Sequence, residues 1–205
     1  MNKSPLRPPT NRSFSALKPL RDLIPPRSVV NSFLLLDGTI ELNLAKSDRF
    51  VVGHTNKYVV YEFWKCILAY PERVAEFAEY LFPIENKNMF EVYQDRFAHF
   101  KDPFVRAATF YALNQCSDSA LISSGHLKNT DYDPLSMSYL KTFSPRNFNV
   151  KFDKEENIIE SLKGVDKDEY TILPIGRYSS NLFEQGRSTG LEETKVYHKA
   201  VRDFF

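Results

Sequence analysis

The stretch FLLLDGTIELNLAKSDRFVVGHTNKYVV, residues 33–60, decides the fold class. An apolar run comes first, Asp37-Gly38 supplies a turn, TIELNLA has the length of a short helix, and RFVVG is a second apolar run. That succession is the opening of an open α/β sheet of the nucleotide-binding kind, whose parallel strands are buried on both faces and read as continuous apolar segments. Upstream residues extend the first strand to SVVNSFLLL, residues 28–36. Downstream, Asn56 is placed to cap a helix in which Val60, Phe63, Trp64, Ile67 and Leu68 share one face, with Pro71 ending it.

Helical spacing continues through PERVAEFAEYLF, NMFEVYQDRFAHF and DPFVRAATFYALNQ, where Asp102 is a cap and Pro103 fits the first turn. In the second of these, Phe90, Tyr93, Phe97 and Phe100 form a core stripe in preference to a base-stacking platform. Residues 117–149 are polar and broken by Gly125, Pro134 and Pro145, the pattern of a long loop or irregular hairpin. After them come a polar helix near Lys154 to Lys163, a strand YTILPI, a Gly-Arg-Tyr turn and a last helix from about Glu192 to Phe205.

Composition narrows the functional classes. A 205-residue chain with 42% hydrophobic residues can bury one sizeable core. Its two cysteines, Cys66 and Cys116, support neither a disulfide framework nor a zinc cluster, and His54, His99, His126 and His198 lack metal-ligand spacing. Cys116 reads as a buried structural thiol. No apolar run approaches the roughly 20 residues of a membrane span, and the start lacks the apolar centre of a secretory signal, so a soluble intracellular chain or a component of a larger particle is expected.

Net charge is +1, but the first 28 residues carry +5 from Lys3, Arg7, Arg12, Lys18, Arg21 and Arg27 against Asp22, leaving −4 for the rest. The same segment holds six prolines, so residues 1–27 read as an extended, partly disordered basic arm. A solvated tail and a nucleic-acid arm are both open readings.

The segments NRSFSALKPLRDLIPPRSVV, NSFLLLDGTIELNL, RFVVGHTNKYVVYEF, VYQDRFAHF with PFVRAATFYALNQ, NFNVKFDK and DEYTILPIGRY follow one another in an order that resembles the DNA adenine methyltransferase (Dam) family. The resemblance runs from about Asn11 to the C-terminus. It implies a Rossmann-like methyltransferase sheet, truncated one helix after the catalytic strand, as a single domain over residues 28–205 with a helical and loop insertion over about 71–150.

It also assigns positions, and this sequence keeps some of them and departs from the family at the cofactor and catalytic motifs. Lys18 matches the lysine of the family's N-terminal Gly-Gly-Lys. Leu35, Leu36, Asp37 and Gly38 stand in its glycine-rich S-adenosylmethionine loop, and His54 replaces the carboxylate that would accept the ribose hydroxyls. Leu173, Pro174, Ile175 and Gly176 stand at the catalytic Asp-Pro-Pro-Tyr. Leucine cannot accept a hydrogen bond from an adenine amine and glycine cannot stack on the base. Tyr178 carries an aromatic ring two residues further on, without the acid. Asp166, Asp168 and Glu169 precede the strand and belong at its other end. In the family's recognition motif Asn114 and Leu121 persist while Ser123 replaces the arginine.

The expectation is therefore a catalytically inactive homologue with no cofactor and no metal, acting as a protein-binding or structural subunit. DNA remains a candidate partner through Arg7, Arg12, Lys18 and Arg146, with Lys128 a further loop cation. A protein partner or second copy is expected at the open sheet edge near Thr171 and Ile175, with Phe204 and Phe205; the alternative is that the loop from about Asp131 to Phe143 folds over that edge. The rival reading is an active adenine methyltransferase, or half of a split one, that binds S-adenosylmethionine through divergent motifs.

Overall fold

A computed structural model of the chain describes residues 4–8, 16–33, 35–120, 122, 125–129, 133–153, 158–173, 176–180, 192–196 and 202. Strands β1 (Val29–Phe33), β2 (Phe50–Thr55), β3 (Phe148–Phe152) and β4 (Tyr170–Ile172) form one all-parallel sheet in the order β3-β2-β1-β4. Helix α2 (Thr39–Lys46) makes the first crossover, and α8 (Ile158–Leu162) lies between β3 and β4. The expected strand-turn-helix-strand reading of residues 33–60 holds, with Gly38 as the α2 N-cap at φ +70°.

Register assigns the strand side chains to two faces. Val30, Val51, Phe148 and Val150 share one, and α2 and α3 (Tyr58–Ala69) pack against this sheet. Val60, Phe63, Trp64 and Ile67 of α3 are fully buried, each contributing about 1.5–3 kcal/mol of apolar burial. The Trp64 ring meets Phe148 edge-on at 5.3 Å. Asn31, Phe33 and His54 lie on the opposite face.

Between β2 and β3 the chain builds a helical block of α3, α4 (Pro71–Leu81), α5 (Lys87–Arg96), a 3-10 turn (Phe97–His99) and α6 (Pro103–Cys116). Helix α6 is its axis, with every residue from Ala107 to Cys116 buried. Asp102 caps it by accepting from the Phe104 amide at 2.7 Å, as expected. Glu62 of α3 takes the Arg106 guanidinium of α6 in a two-point ion pair, Nε to Oε2 at 2.7 Å, which raises the arginine's pKa further. The expected stripe is in the core: Phe90 and Phe97 are buried, with Tyr93 and Phe100 packed beside them.

Several expectations are corrected. Asn56 does not cap α3; Lys57 is its N-cap, and the Thr55 hydroxyl accepts the Lys57 amide. Residues 117–149 are not one loop, because α7 (Pro134–Lys141) starts at Pro134 with Asp133 as its cap and packs on α4, not over the sheet edge. Pro134 is the first residue of that helix, where its missing amide costs nothing. The Gly-Arg-Tyr stretch is no turn and Glu192 starts no helix: β5 (Gly176–Ser180) and β6 (Glu192–Val196) pair antiparallel as a separate two-stranded sheet. Phe204 and Phe205 lie outside the described residues.

Residues 1–27 are not simply an extended arm. Leu17–Leu23 form α1, tolerating Pro19 in its first turn. Its end is held by buried Arg49, whose guanidinium donates to the Ile24 and Arg21 carbonyls. Residues 4–8 pack on the body, with Pro5 and Leu6 buried.

Gly38 is the point where sequence and packing are tightest. An added Cβ would stand 2.5 Å from the Trp64 ring, in a backbone conformation that side chains disfavour. Gly38→Ala is expected to lower the free energy of urea unfolding by about 2–5 kcal/mol through strain and overpacking. Gly164→Ala, which meets only Ser161 O at 3.7 Å, is expected to stay within about 0.5 kcal/mol.

Candidate functional site

The strand order reverses direction at β1, between β2 and β4, and open α/β sheets bind ligands at the carboxyl ends of their strands at such a point. Here that place is lined by the turn after β1 and the end of β2. The Leu35 amide donates to the His54 carbonyl at 2.8 Å, prolonging the β1–β2 pairing into the turn. Its side chain is 2% exposed and lies over Gly53, where a Cβ would be 2.7 Å from Leu35 Cδ2. Gly53 is bare because Leu35 fills the space above it. The Leu36 carbonyl accepts Trp64 Nε1 at 3.0 Å, drawing the turn onto α3. Asp37 is buried, its carboxylate accepting the Thr39 hydroxyl and its carbonyl the Ser4 hydroxyl.

His54, at the end of β2, is 2% exposed and fully engaged. Nδ1 lies 3.1 Å from Asp153 Oδ2, just beyond β3, and Nε2 lies 2.9 Å from Asn31 Oδ1 on β1. Asn31 Nδ2 in turn donates to Glu169 Oε2 at 2.6 Å, directly before β4. Since the asparagine amide nitrogen faces a carboxylate, its oxygen is the atom presented to the histidine. Both ring nitrogens therefore face side-chain oxygens. The Phe33 ring stacks on the imidazole at 4.4 Å. This polar row touches all four strands of the parallel sheet.

Asn31, Asp153 and Glu169 were not among the candidate residues. One signal was present: an asparagine inside the apolar run SVVNSFLLL must find a partner when buried. Glu169 does precede β4, as expected of the acids there, and from that position its carboxylate reaches the Asn31 amide.

The structure brings Leu36 and Gly38 onto Trp64 and Leu35 onto Gly53, with Asp37 in the same turn, while the His54 side chain lies on the opposite face of the sheet and only its carbonyl meets this turn, at the Leu35 amide. Lys18 lies exposed on α1, and Arg146 and Lys128 are exposed. Arg7 is not in a free arm: its Nη1 donates to the carbonyls of Gln115 at 2.7 Å and Ser117 at 2.8 Å. Asn114 is committed to the same contact, bonding the main chain of Arg7 and the Ala120 carbonyl. Leu173 is half-buried after β4 and Gly176 begins β5; Arg12, Leu121, Ser123, Pro174 and Ile175 lie outside the described residues.

Among the described residues no group of three or more His, Cys, Asp or Glu side chains could hold a metal ion. Cys116 is fully buried, and burial pushes the Cys66 thiol up to about 11. The sheet order and crossovers define an α/β protein with a Rossmann-like parallel sheet. No protein-family model matches the chain, and no curated protein matches it.

Removing the central amide tests the polar row. Asn31→Ala is expected to cost about 1–3 kcal/mol by leaving His54 and Glu169 short of a partner. A double-mutant cycle with His54→Leu is expected to give a coupling above about 0.5 kcal/mol, whereas additive losses would mean the two side chains act separately. Because a raised thiol pKa leaves little thiolate at about pH 8, the native protein is expected to resist an aromatic disulfide reagent until urea exposes both cysteines.

Proposed function

We propose that this chain is a degenerate Dam-type methyltransferase relative that has lost methyl transfer and acts by binding, as a protein-binding or structural subunit of a larger assembly. The observation that carries the reading is the Leu35 side chain over Gly53, at the mouth where a cofactor's methionine moiety needs bare backbone. Two further features support it. His54, in place of a ribose-binding carboxylate, spends both ring nitrogens on Asp153 and Asn31. At the position of the catalytic carboxylate, Leu173 offers no acceptor for an amine. These residues do not fit S-adenosylmethionine.

A partner chain or second copy is proposed on the outer edge of β4 near Thr171, because among the described residues β4 pairs only with β1. DNA is a secondary candidate through the exposed Lys18 and Arg146. Among the described residues no helix is long and apolar enough to cross a membrane. An intracellular site of action, free or within a larger particle, accords with the burial of both Cys66 and Cys116 in the core.

Titration calorimetry with S-adenosylmethionine is expected to show no saturable heat. Saturable binding, or transfer of a labelled methyl group to duplex DNA, would overturn the reading.

A further inference from the structure

Residues 4–8 are held on the body of the protein as a receptor holds a peptide. The Asn114 amide makes a paired contact with the main chain of Arg7: Oδ1 accepts the Arg7 amide at 2.8 Å and Nδ2 donates to the Arg7 carbonyl at 3.0 Å. One residue along, Gln115 Nε2 donates to the Pro5 carbonyl at 3.1 Å. Both amides are buried, Gln115 Nε2 also donates to Asn114 Oδ1 at 3.2 Å, and what both take from the segment is its backbone.

Side chains add the selectivity. Leu6 is 4% exposed and joins the main apolar core. The Arg7 guanidinium meets the Gln115 and Ser117 carbonyls at the C-terminus of α6, where a helix leaves carbonyls unpaired and its dipole favours a cation. The Ser4 hydroxyl donates to the Asp37 carbonyl and accepts the Leu6 amide at 3.1 Å, closing a Ser-Pro-Leu turn. Pro5 restricts that turn before it docks, which lowers the entropy lost on binding.

We propose that the cleft between the 35–38 turn and the C-terminus of α6 is a peptide-binding groove for Ser-Pro-Leu-Arg segments, occupied in cis by residues 4–7 of this chain. A peptide of the same pattern presented in trans competes with that resident segment. The groove stands whether or not the chain binds S-adenosylmethionine.

The test uses the full chain with a protease recognition sequence inserted between Pro9 and Thr10, cut after folding. A fluorescent peptide of residues 1–8, MNKSPLRP, is expected to bind the nicked protein saturably in an anisotropy titration. Peptides carrying Arg7→Ala or Ser4→Ala are expected to bind about tenfold or more weakly, the first losing charge-assisted bonds. Uncut protein is expected to bind the peptide more weakly than nicked protein, because the tethered segment competes at high effective concentration. Absence of saturable binding to nicked protein with native tryptophan fluorescence overturns the proposal, as does equal binding of the Arg7→Ala peptide. A second measurement needs no cleavage: the uncut Arg7→Ala protein, with its cis segment weakened, is expected to take up the unsubstituted peptide more tightly than the parent chain. Equal or weaker uptake overturns the proposal too.

Discussion

Burying Asn31 in the middle of an apolar parallel strand obliges the rest of the sheet to supply it with partners. An amide has donors on one side and an acceptor on the other, so it needs two different neighbours. Glu169 meets the first need and His54 the second, and His54 passes the demand on to Asp153. The strands contributing to this row come from widely separated parts of the chain, and their register is set by a directional contact as well as by apolar packing. A one-residue slip of β1 against β2 would send Asn31 to the apolar face and leave His54 unmatched.

The two faces of the sheet consequently play different parts. On the apolar face, Trp64 is the hub: it meets Phe148, restricts Gly38 and bonds the Leu36 carbonyl, so the turn after β1 is fixed from α3. On the polar face, Phe33 and His54 stack above the hydrogen-bonded row. Between them, at the carboxyl ends of β1 and β2, the space that open α/β folds leave for ligands is narrowed by Leu35, and residues 4–8 reach the same turn through Ser4.

How much of this could be read from the chain follows the range of each interaction. Residues 33–60 and the helical block were legible because their apolar spacing and caps, such as Asp102 before Pro103, are local. Helix α7 carried the same local signal at Asp133-Pro134, but the proline reads as a breaker unless the preceding cap is weighed with it. Strand β6 gave no local sign, since among the described residues its support is pairing with β5. The helix α1 was obscured by the density of prolines around it. At the site, Leu35, Gly38 and His54 were found by position, while the partners that engage His54 were not: Asp153 lies 99 residues away in sequence and the Asn31 contact to Glu169 spans 138. Contacts of that range leave no periodic trace.

The clasp between Arg7 and Asn114 bridges 107 residues. During synthesis, residues 4–8 leave the ribosome before α6 and have nowhere to dock until that helix is complete, because their receptor is its C-terminal end. Loop-closure entropy grows only with the logarithm of length, so the wait costs little equilibrium stability. It does order events in time: residues 4–8 dock only after the helical block is assembled, seating on the end of α6 and the turn at Asp37. For a nascent chain, residues 4–8 are thus a late-closing latch whose seating reports that the helical block is formed.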